Sequence, residues 1–245
     1  DRKDYFARLG SKRVHLLKGR SHQNAWLYDL NNKIPDISTR SFIPSPLERV
    51  VLAGAEIIRN KIRRGPCRLI LAGAGLASLA AWVAIYWLKE EGAEAELVSE
   101  LGFFGFAPRP GEPFLFNLSN IPTCIELGSI LTMLGIMMPN RRTACLGTLS
   151  AAQVDKFGNL NTTLTEKKML ITGSGGGNDV LSAAREVVVI MPQSKKRFVE
   201  KLPFLTSPGP AAKTLVSTLG VFEKLCDDRE FTLTFYFEDQ LPKGR

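Results

Sequence analysis

Histidine is almost missing from this 245-residue sequence: there are two, His15 and His22, and both precede the patterned part of the chain. A His-based catalytic triad or a His-rich metal site is therefore poorly supplied. Cysteine is sparse and scattered. Cys67, Cys124, Cys145 and Cys226 make no Cys-x-x-Cys pair, and three of them fall in apolar runs, where Cys acts as a small core residue. That argues against a zinc site or a disulfide framework and fits a reducing compartment, so the expected location is cytoplasmic. No N-terminal secretory signal is visible. One uncharged run, Leu69–Leu88, is long enough for a membrane span. Gly73 and Gly75 cut it into a strand-length piece and a helix-length piece, so no membrane helix is expected. The sequence starts without Met and stops at Lys243-Gly244-Arg245, so whether the chain is complete at either end stays open.

What is present is an ordinary globular composition, with 44% hydrophobic and 23% charged residues. The length suits one large α/β domain or two small ones. The net charge of +8 invites a polyanion. Basic residues are spread along the chain, however, with small clusters only at Arg63–Arg64 and Lys195–Arg197. There is no basic arm, and neither a nucleic-acid nor a membrane partner is expected.

Residues 1–44 are polar with scattered aromatics and read as an N-terminal extension. Residues 45–245 read as one α/β domain. Ser45-Pro46-Leu47-Glu48 is a capping box with Pro at the first helical position, and Leu47, Val50, Val51, Gly54 and Ile58 follow helical spacing until Arg63-Arg64-Gly65-Pro66 closes the helix. Cys67–Ala72 reads as a buried strand, Gly73-Ala74-Gly75 as a tight turn, and Leu76–Glu91 as a mostly buried helix. Glu96–Val98 is then the next parallel strand. Further along, a helix is expected over Cys124–Met133 and a strand over Cys145–Leu149. Phe157-Gly158-Asn159 reads as a turn, with Gly158 and Asn159 suited to positive φ. A glycine loop within Ile171–Val180 precedes a short helix Val180–Ala184 and a strand Glu186–Met191. Phe198–Phe204, Leu215–Phe222 and Phe231–Phe237 suggest a strand-rich end. The fold class is thus an open, mostly parallel sheet with helices on both faces.

Ligands of such sheets sit beyond the carboxyl ends of the strands. Both the Gly73–Gly75 turn and Glu100, just past the strand Glu96–Val98, land on that edge. A lone glutamate ordinarily belongs to a solvated face, and a lone Gly-x-Gly is ordinarily a plain turn. Here they share an edge with a second glycine loop, Gly173–Gly177, whose amides can approach a ligand. The chemistry on offer is one carboxylate, two glycine-rich loops and some amide side chains. A carboxylate ionised at neutral pH needs no general base to act as a nucleophile on an activated carbonyl such as a thioester, with loop amides receiving the oxyanion.

These residues resemble the class I coenzyme A transferases. Ser99-Glu100-Leu101-Gly102-Phe103-Phe104-Gly105, followed by Pro108 and Pro110, is similar to that family's Ser-Glu-Asn-Gly signature, with Leu101 standing where many members have Asn. The similarity continues through Gln153-Val154-Asp155-Lys156-Phe157-Gly158-Asn159-Leu160-Asn161, Gly173-Ser174-Gly175-Gly176-Gly177-Asn178-Asp179, Lys196-Arg197-Phe198-Val199-Glu200-Lys201 and Thr206-Ser207-Pro208-Gly209. The last three blocks look most similar to the beta subunit of glutaconate CoA-transferase. The resemblance covers roughly Ser45–Phe237.

It implies the CoA-transferase fold and a mechanism in which Glu100 attacks an acyl-CoA thioester and then carries CoA as a glutamyl-CoA thioester. Gly175, Gly176 and Gly177 would supply oxyanion or thioester-binding amides, Gly73 and Gly75 would line the same edge, and Gln153 would lie close by. Lys195–Arg197 would either meet CoA phosphates or form a solvated cluster. No metal and no permanently bound cofactor is implied, and coenzyme A enters as the acyl-CoA substrate. A homologous alpha-type subunit is the implied partner, in a heterodimer or an α₂β₂ assembly. Alternatives are a CoA-thioester or ring-opening hydrolase on the same scaffold, a catalytically silent scaffolding subunit, and a basic ligand-binding regulator. Phe103, Phe104 and Phe106 suggest a partly apolar acyl pocket, and Arg109 is the candidate cation for a dicarboxylate.

Overall fold

The computed structural model describes residues 43–109, 118–140, 142, 144–225 and 228–237. The extension 1–44 with its two histidines therefore lies almost wholly outside the described residues, as do Cys226 and most of the Pro-rich loop after Ala107.

Helix α1 (Pro46–Arg64) begins as the sequence predicts. The Ser45 hydroxyl accepts the Glu48 N–H, and the Glu48 carboxylate accepts the Ser45 N–H at 2.7 Å. Strand β1 (Leu69–Leu71) is shorter than its apolar run and leads through the glycine turn into α2 (Leu76–Glu90). Then come β2 (Glu96–Val98), β3 (Phe103–Phe104), β4 (Glu126–Leu127), β5 (Cys145–Leu149), β6 (Gln153–Val154) and β7 (Leu160–Asn161). The chain continues through α3 (Gly177–Ala183), β8 (Glu186–Ile190), β9 (Ala212–Val216), β10 (Gly220–Glu223) and β11 (Thr232–Tyr236).

Nine strands form one sheet in the order β11-β10-β9-β8-β5-β1-β2-β3-β4, and β6 and β7 make a separate ribbon. The middle of the sheet, β9-β8-β5-β1-β2, is parallel, and the strands added at each edge are antiparallel. Alternate residues of the central strands face opposite layers. Ile70, Leu97, Leu146, Val188 and Ile190 meet Val50, Ile58, Ala80 and Ile85 of α1 and α2. Leu69, Leu71, Val98, Cys145, Val187 and Val189 meet Val180 and Leu181 of α3, together with Met133. Strands covered on both faces read as continuous apolar runs, which is why β1, β5 and β8 show no polar alternation. The sheet is the open α/β arrangement expected, with helices on both faces. The described cysteines Cys67, Cys124 and Cys145 are all buried. No helix among the described residues is long and apolar enough to cross a membrane.

Four local expectations are corrected. Cys124–Met133 is not a helix. It holds the short strand β4 and the start of a π-helical segment, Leu131–Met137, because Gly128 donates to the Gly102 carbonyl at 2.7 Å and is drawn into pairing beside β3. Phe198–Phe204 forms no strand and contributes only one isolated bridge, Phe198 to Val154. Leu215–Phe222 is two strands, β9 and β10, turned at Ser217, whose hydroxyl accepts the Leu219 and Gly220 N–H groups. At the 157–159 turn only Gly158 takes positive φ, at 75°. Asn159 serves through its side chain instead, giving its amide to Asp155 Oδ2 and accepting the Gly209 N–H.

Candidate active site

Parallel strands β1, β2 and β5 lie side by side, so their carboxyl ends converge on one edge. Glu100 stands one residue past Ser99 at the exit of β2, on a turn whose ends are tied twice. Ser99 N–H donates to Phe103 O at 2.9 Å, and Gly102 N–H donates to Ser99 O at 3.0 Å. Gly102 has φ 100°, and a Cβ on it would lie 2.1 Å from the Gly128 carbonyl oxygen. Only glycine accommodates both demands. The turn is thereby clamped, and the Glu100 side chain is directed across the edge toward the loop that precedes α3.

There Glu100 Oε2 accepts the Gly176 N–H at 2.9 Å. Gly175 carries φ 52°. A Cβ at Gly176 would lie 2.1 Å from Glu100 Oε2, so this close approach requires a residue without a side chain. The loop is brought near by a second small residue. A Cβ on Gly147 of β5 would collide with Val180 of α3 at 2.6 Å, so its absence lets α3 settle on the sheet.

Burial pushes the Glu100 carboxyl above its ordinary range, and nearby Asp179 adds to the rise. The Gly176 N–H works the other way, because it stabilises the anion. A half-buried carboxylate, once ionised, is less fully hydrated than an exposed one and so the stronger nucleophile.

The cleft holding Glu100 has a volume of about 260 Å³. Gly73, Ala74, Ser150, the Gly173–Gly177 loop and Ser207 line it with Glu100. Gly73 is pressed on β5: its N–H donates to Thr148 Oγ1 at 3.2 Å, and a Cβ would sit 2.2 Å from Thr148 O. The structure thus brings together Glu100, Gly73, Gly175, Gly176 and Gly177. Gly75 does not line the cleft and caps α2 with φ 67°.

Gln153 lies in a neighbouring groove. Its Oε1 accepts from Asn161 Nδ2 at 2.8 Å, and its Nε2 donates to the Lys196 carbonyl at 3.1 Å. That groove, about 850 Å³, is lined by Lys167, Ile171, Lys195, Lys196 and Arg197 as well. Ile171 adjoins Thr172, which lines the Glu100 cleft, so the two openings share a wall. Arg197 is partly committed, donating to Ala151 O at 3.1 Å.

Three side chains that sequence reasoning passed over belong to the cleft. Ser150 donates to Ile190 O at 2.7 Å and follows β5 directly, so the strand-end rule that found Glu100 also points to it. Ser207 sits in the block Thr206–Gly209, and its N–H is bound to Leu160 O. Thr162 carries a buried hydroxyl with no hydrogen-bond partner, a feature with no sequence signal. Conversely, Phe103 and Phe106 do not line the cleft. They are buried in the α1–α2 core and meet edge to face at 6.3 Å, because β3 turns Phe103 inward. Arg109 is likewise absent from the lining; it lies near Tyr86, whose hydroxyl donates to the Pro108 carbonyl. No cluster of His, Cys, Asp and Glu suited to a metal occurs among the described residues.

The family model described as coenzyme A transferase matches residues 135–228. The B-type subunit of 3-oxoadipate CoA-transferase from Pseudomonas knackmussii is 34% identical over 108 residues, covering 36% of this chain and 42% of that protein. The B-type subunit of glutaconate CoA-transferase from Acidaminococcus fermentans is 26% identical over 165 residues, covering 63% and 59%. The chain therefore spans about half the length of these curated relatives. The crystal structure of the Acidaminococcus fermentans glutaconate CoA-transferase superposes with a TM-score of 0.64 at 21% identity, covering 76% of this chain and 78% of that one. That likeness is one of fold.

Proposed function

From the match of residues 135–228 to the coenzyme A transferase family model, we propose that this chain is the beta-type subunit of a CoA-transferase with Glu100 as its covalent nucleophile. The observation that carries the reading is the Glu100 Oε2 to Gly176 N–H contact at 2.9 Å inside a cleft at the carboxyl ends of the parallel strands.

One Glu100 oxygen attacks the thioester carbonyl of an acyl-CoA. The C–S bond breaks, and the products are an acyl–glutamyl anhydride and CoA thiolate. The thiolate then attacks the glutamyl carbonyl and expels the acyl group as its free carboxylate, leaving CoA on Glu100 as a thioester. An incoming carboxylate takes over the CoA by the reverse steps, so ping-pong kinetics follow. Each step places negative charge on an oxygen within the cleft. The amides of Gly175 and Gly176 answer that charge, while the Gly177 N–H is held by Ser174 O at 3.2 Å and shapes the loop, and Gly73 lines the same cleft. Gly75 acts at one remove, by holding the turn that presents Gly73. Gln153 acts through Asn161 and the Lys196 carbonyl, fixing the wall shared with the basic groove.

An alpha-type partner, of the kind implied by relatives that are themselves B-type subunits, would complete the cleft. Substrates are an acyl-CoA and a carboxylic acid. The burial of Glu100 is compatible with transfer because the glutamate reacts as the anion and is regenerated as the anion.

The test is the intact mass of the complex after incubation with acyl-CoA and then borohydride. The glutamyl-CoA thioester is reduced to an alcohol, so a fixed mass loss mapped to Glu100, and absent from Glu100→Ala, is the expected result. No adduct together with full activity in Glu100→Ala refutes the reading and leaves a hydrolase or a scaffolding role in its place.

A further inference from the structure

Lys224, just past β10, occupies a setting unlike that of an ordinary surface lysine. Its Nζ donates to two main-chain carbonyls, Phe157 O and Gly209 O, each at 2.8 Å. It also lies 5.1 Å from the centre of the Phe231 ring. No carboxylate shares an ion pair with it among the described residues. Two N–H groups matched to two carbonyls satisfy a neutral amine and leave its lone pair unused; the carbonyls and the ring face favour the ammonium, and burial opposes it.

The charges around it act in one balance. Lys213 on β9 repels a second cation, and Asp155 in the facing turn favours one. Asp228 and Arg229 line the same cleft as Lys224. Burial is the largest influence, and together these bring the Lys224 amine down to about 8. Lys224 also lines a cleft of about 440 Å³ with Phe157, Asn159, Pro210, Lys213, Asp228 and Arg229. Lys213 and Arg229 make that opening suited to a phosphorylated ligand, with an apolar floor beside them.

We propose that Lys224 is an acylation site of this protein, its amine taking the acyl group of a CoA thioester that enters the basic cleft. The Nζ lone pair attacks the thioester carbonyl carbon, an N–C bond forms and the C–S bond breaks. CoA leaves as the thiolate, and the proton lost by Nζ passes to water and then to the thiolate, giving an amide and free CoA. The supply of acyl-CoA rests on the proposed function, but the reaction at Lys224 does not use Glu100. The product amide keeps a single N–H, so one of the two carbonyl contacts is lost. Those contacts tie the 157–159 turn to Gly209, two residues from Ser207 in the Glu100 cleft. Acylation therefore loosens a brace adjoining the active site.

The experiment is peptide mass mapping of the full chain, copurified with its partner, after incubation with acetyl-CoA near neutral pH. An amine titrating near 8 is neutral over 100-fold more often there than a lysine of ordinary pKa ~10.4, and its lower basicity trims the gain in rate to roughly tenfold. Acetylation of Lys224 is expected to exceed that of exposed Lys213 by about tenfold, with the rate at Lys224 levelling off above about pH 8. Lys224→Arg, which preserves donors to both carbonyls, should lose the label. Glu100→Gln should keep it, and a wild-type complex that labels at Lys224 but shows no transferase activity overturns the function and not this site. Labelling of Lys224 no faster than Lys213, or its loss in Glu100→Gln, overturns the proposal.

Discussion

Replacing Gly176 by Ala tests the proposed site more sharply than replacing Glu100, because it leaves the proposed nucleophile in place. The Gly176 backbone has φ −78° and ψ 4°, which alanine adopts without strain. The new methyl would lie 2.1 Å from Glu100 Oε2 and 2.9 Å from Leu134 Cδ1. Ordinary van der Waals contact needs more than an additional ångström, so the carboxylate must retreat and the 2.9 Å bond to the Gly176 N–H is lost. A hydrogen bond to a charged group contributes ~1.5–3 kcal/mol, which corresponds to roughly a 10- to 100-fold loss in rate if the Gly176 N–H passes from the resting carboxylate to the transition-state oxyanion and binds it more strongly by that amount. Stopped-time transferase assays of the complex should show that loss in kcat and kcat/KM together. Thermal unfolding should move little, since the carboxylate swings toward an open cleft. Gly135→Ala is the control, because a Cβ there meets nothing within 4 Å. Full activity in Gly176→Ala would refute the claim that the Glu100–Gly176 contact belongs to the reactive geometry.

Two further outcomes are expected. Leu97 is fully buried in β2, so Leu97→Ala should cost ~2–5 kcal/mol in urea unfolding, and a cost below ~1 kcal/mol would mean the core closes the cavity. Glu100→Gln should stabilise the chain at neutral pH while removing transfer. The carboxyl is raised by burial, so the folded state binds its proton more tightly than the unfolded state does. The stability this group provides is present below the unfolded pKa and falls as pH rises through the folded one. The advantage of the Gln variant over the wild type should therefore grow between about pH 4 and pH 7 in paired urea melts, and equal midpoints at both ends would contradict it.

Local signals were legible wherever the chain satisfies its own backbone. The capping box at Ser45 and Glu48 and the strand–glycine–helix run at Leu69–Glu90 depend on near neighbours, and both are found where the sequence places them. Elements set by distant partners were not. Gly128 joins β4 to the sheet through the carbonyl of Gly102, a residue 26 positions earlier, and this contact outweighs the helical spacing of Cys124–Met133. The aromatic residues after Glu100 misled for a related reason. Antiparallel pairing of β3 with β2 turns Phe103 into the core, a direction that composition cannot reveal. Among the residues expected at the site, the glycines that approach Glu100 were legible as loop breakers at strand ends. The displacement of Gln153 was not, because it follows from pairing in the separate β6–β7 ribbon.

The same separation explains why the site depends on the sheet as a whole. Glu100 and Gly176 are 76 residues apart, and their contact passes through β2, β1 and β5 and then α3. Each link is a backbone ladder or a buried apolar contact, so the position of the Gly176 amide is fixed by the sheet and not by its own loop. Gly147 is the joint at which this matters most. It lies opposite Leu71 of β1 on one side and Val187 of β8 on the other, and it is the position where Val180 of α3 touches the sheet. A side chain there would lift the start of α3 and carry Gly176 away from Glu100 without changing any residue of the cleft. A carboxylate that burial disfavours is kept beside its amide donor because the interactions holding it there lie elsewhere, in the central strands.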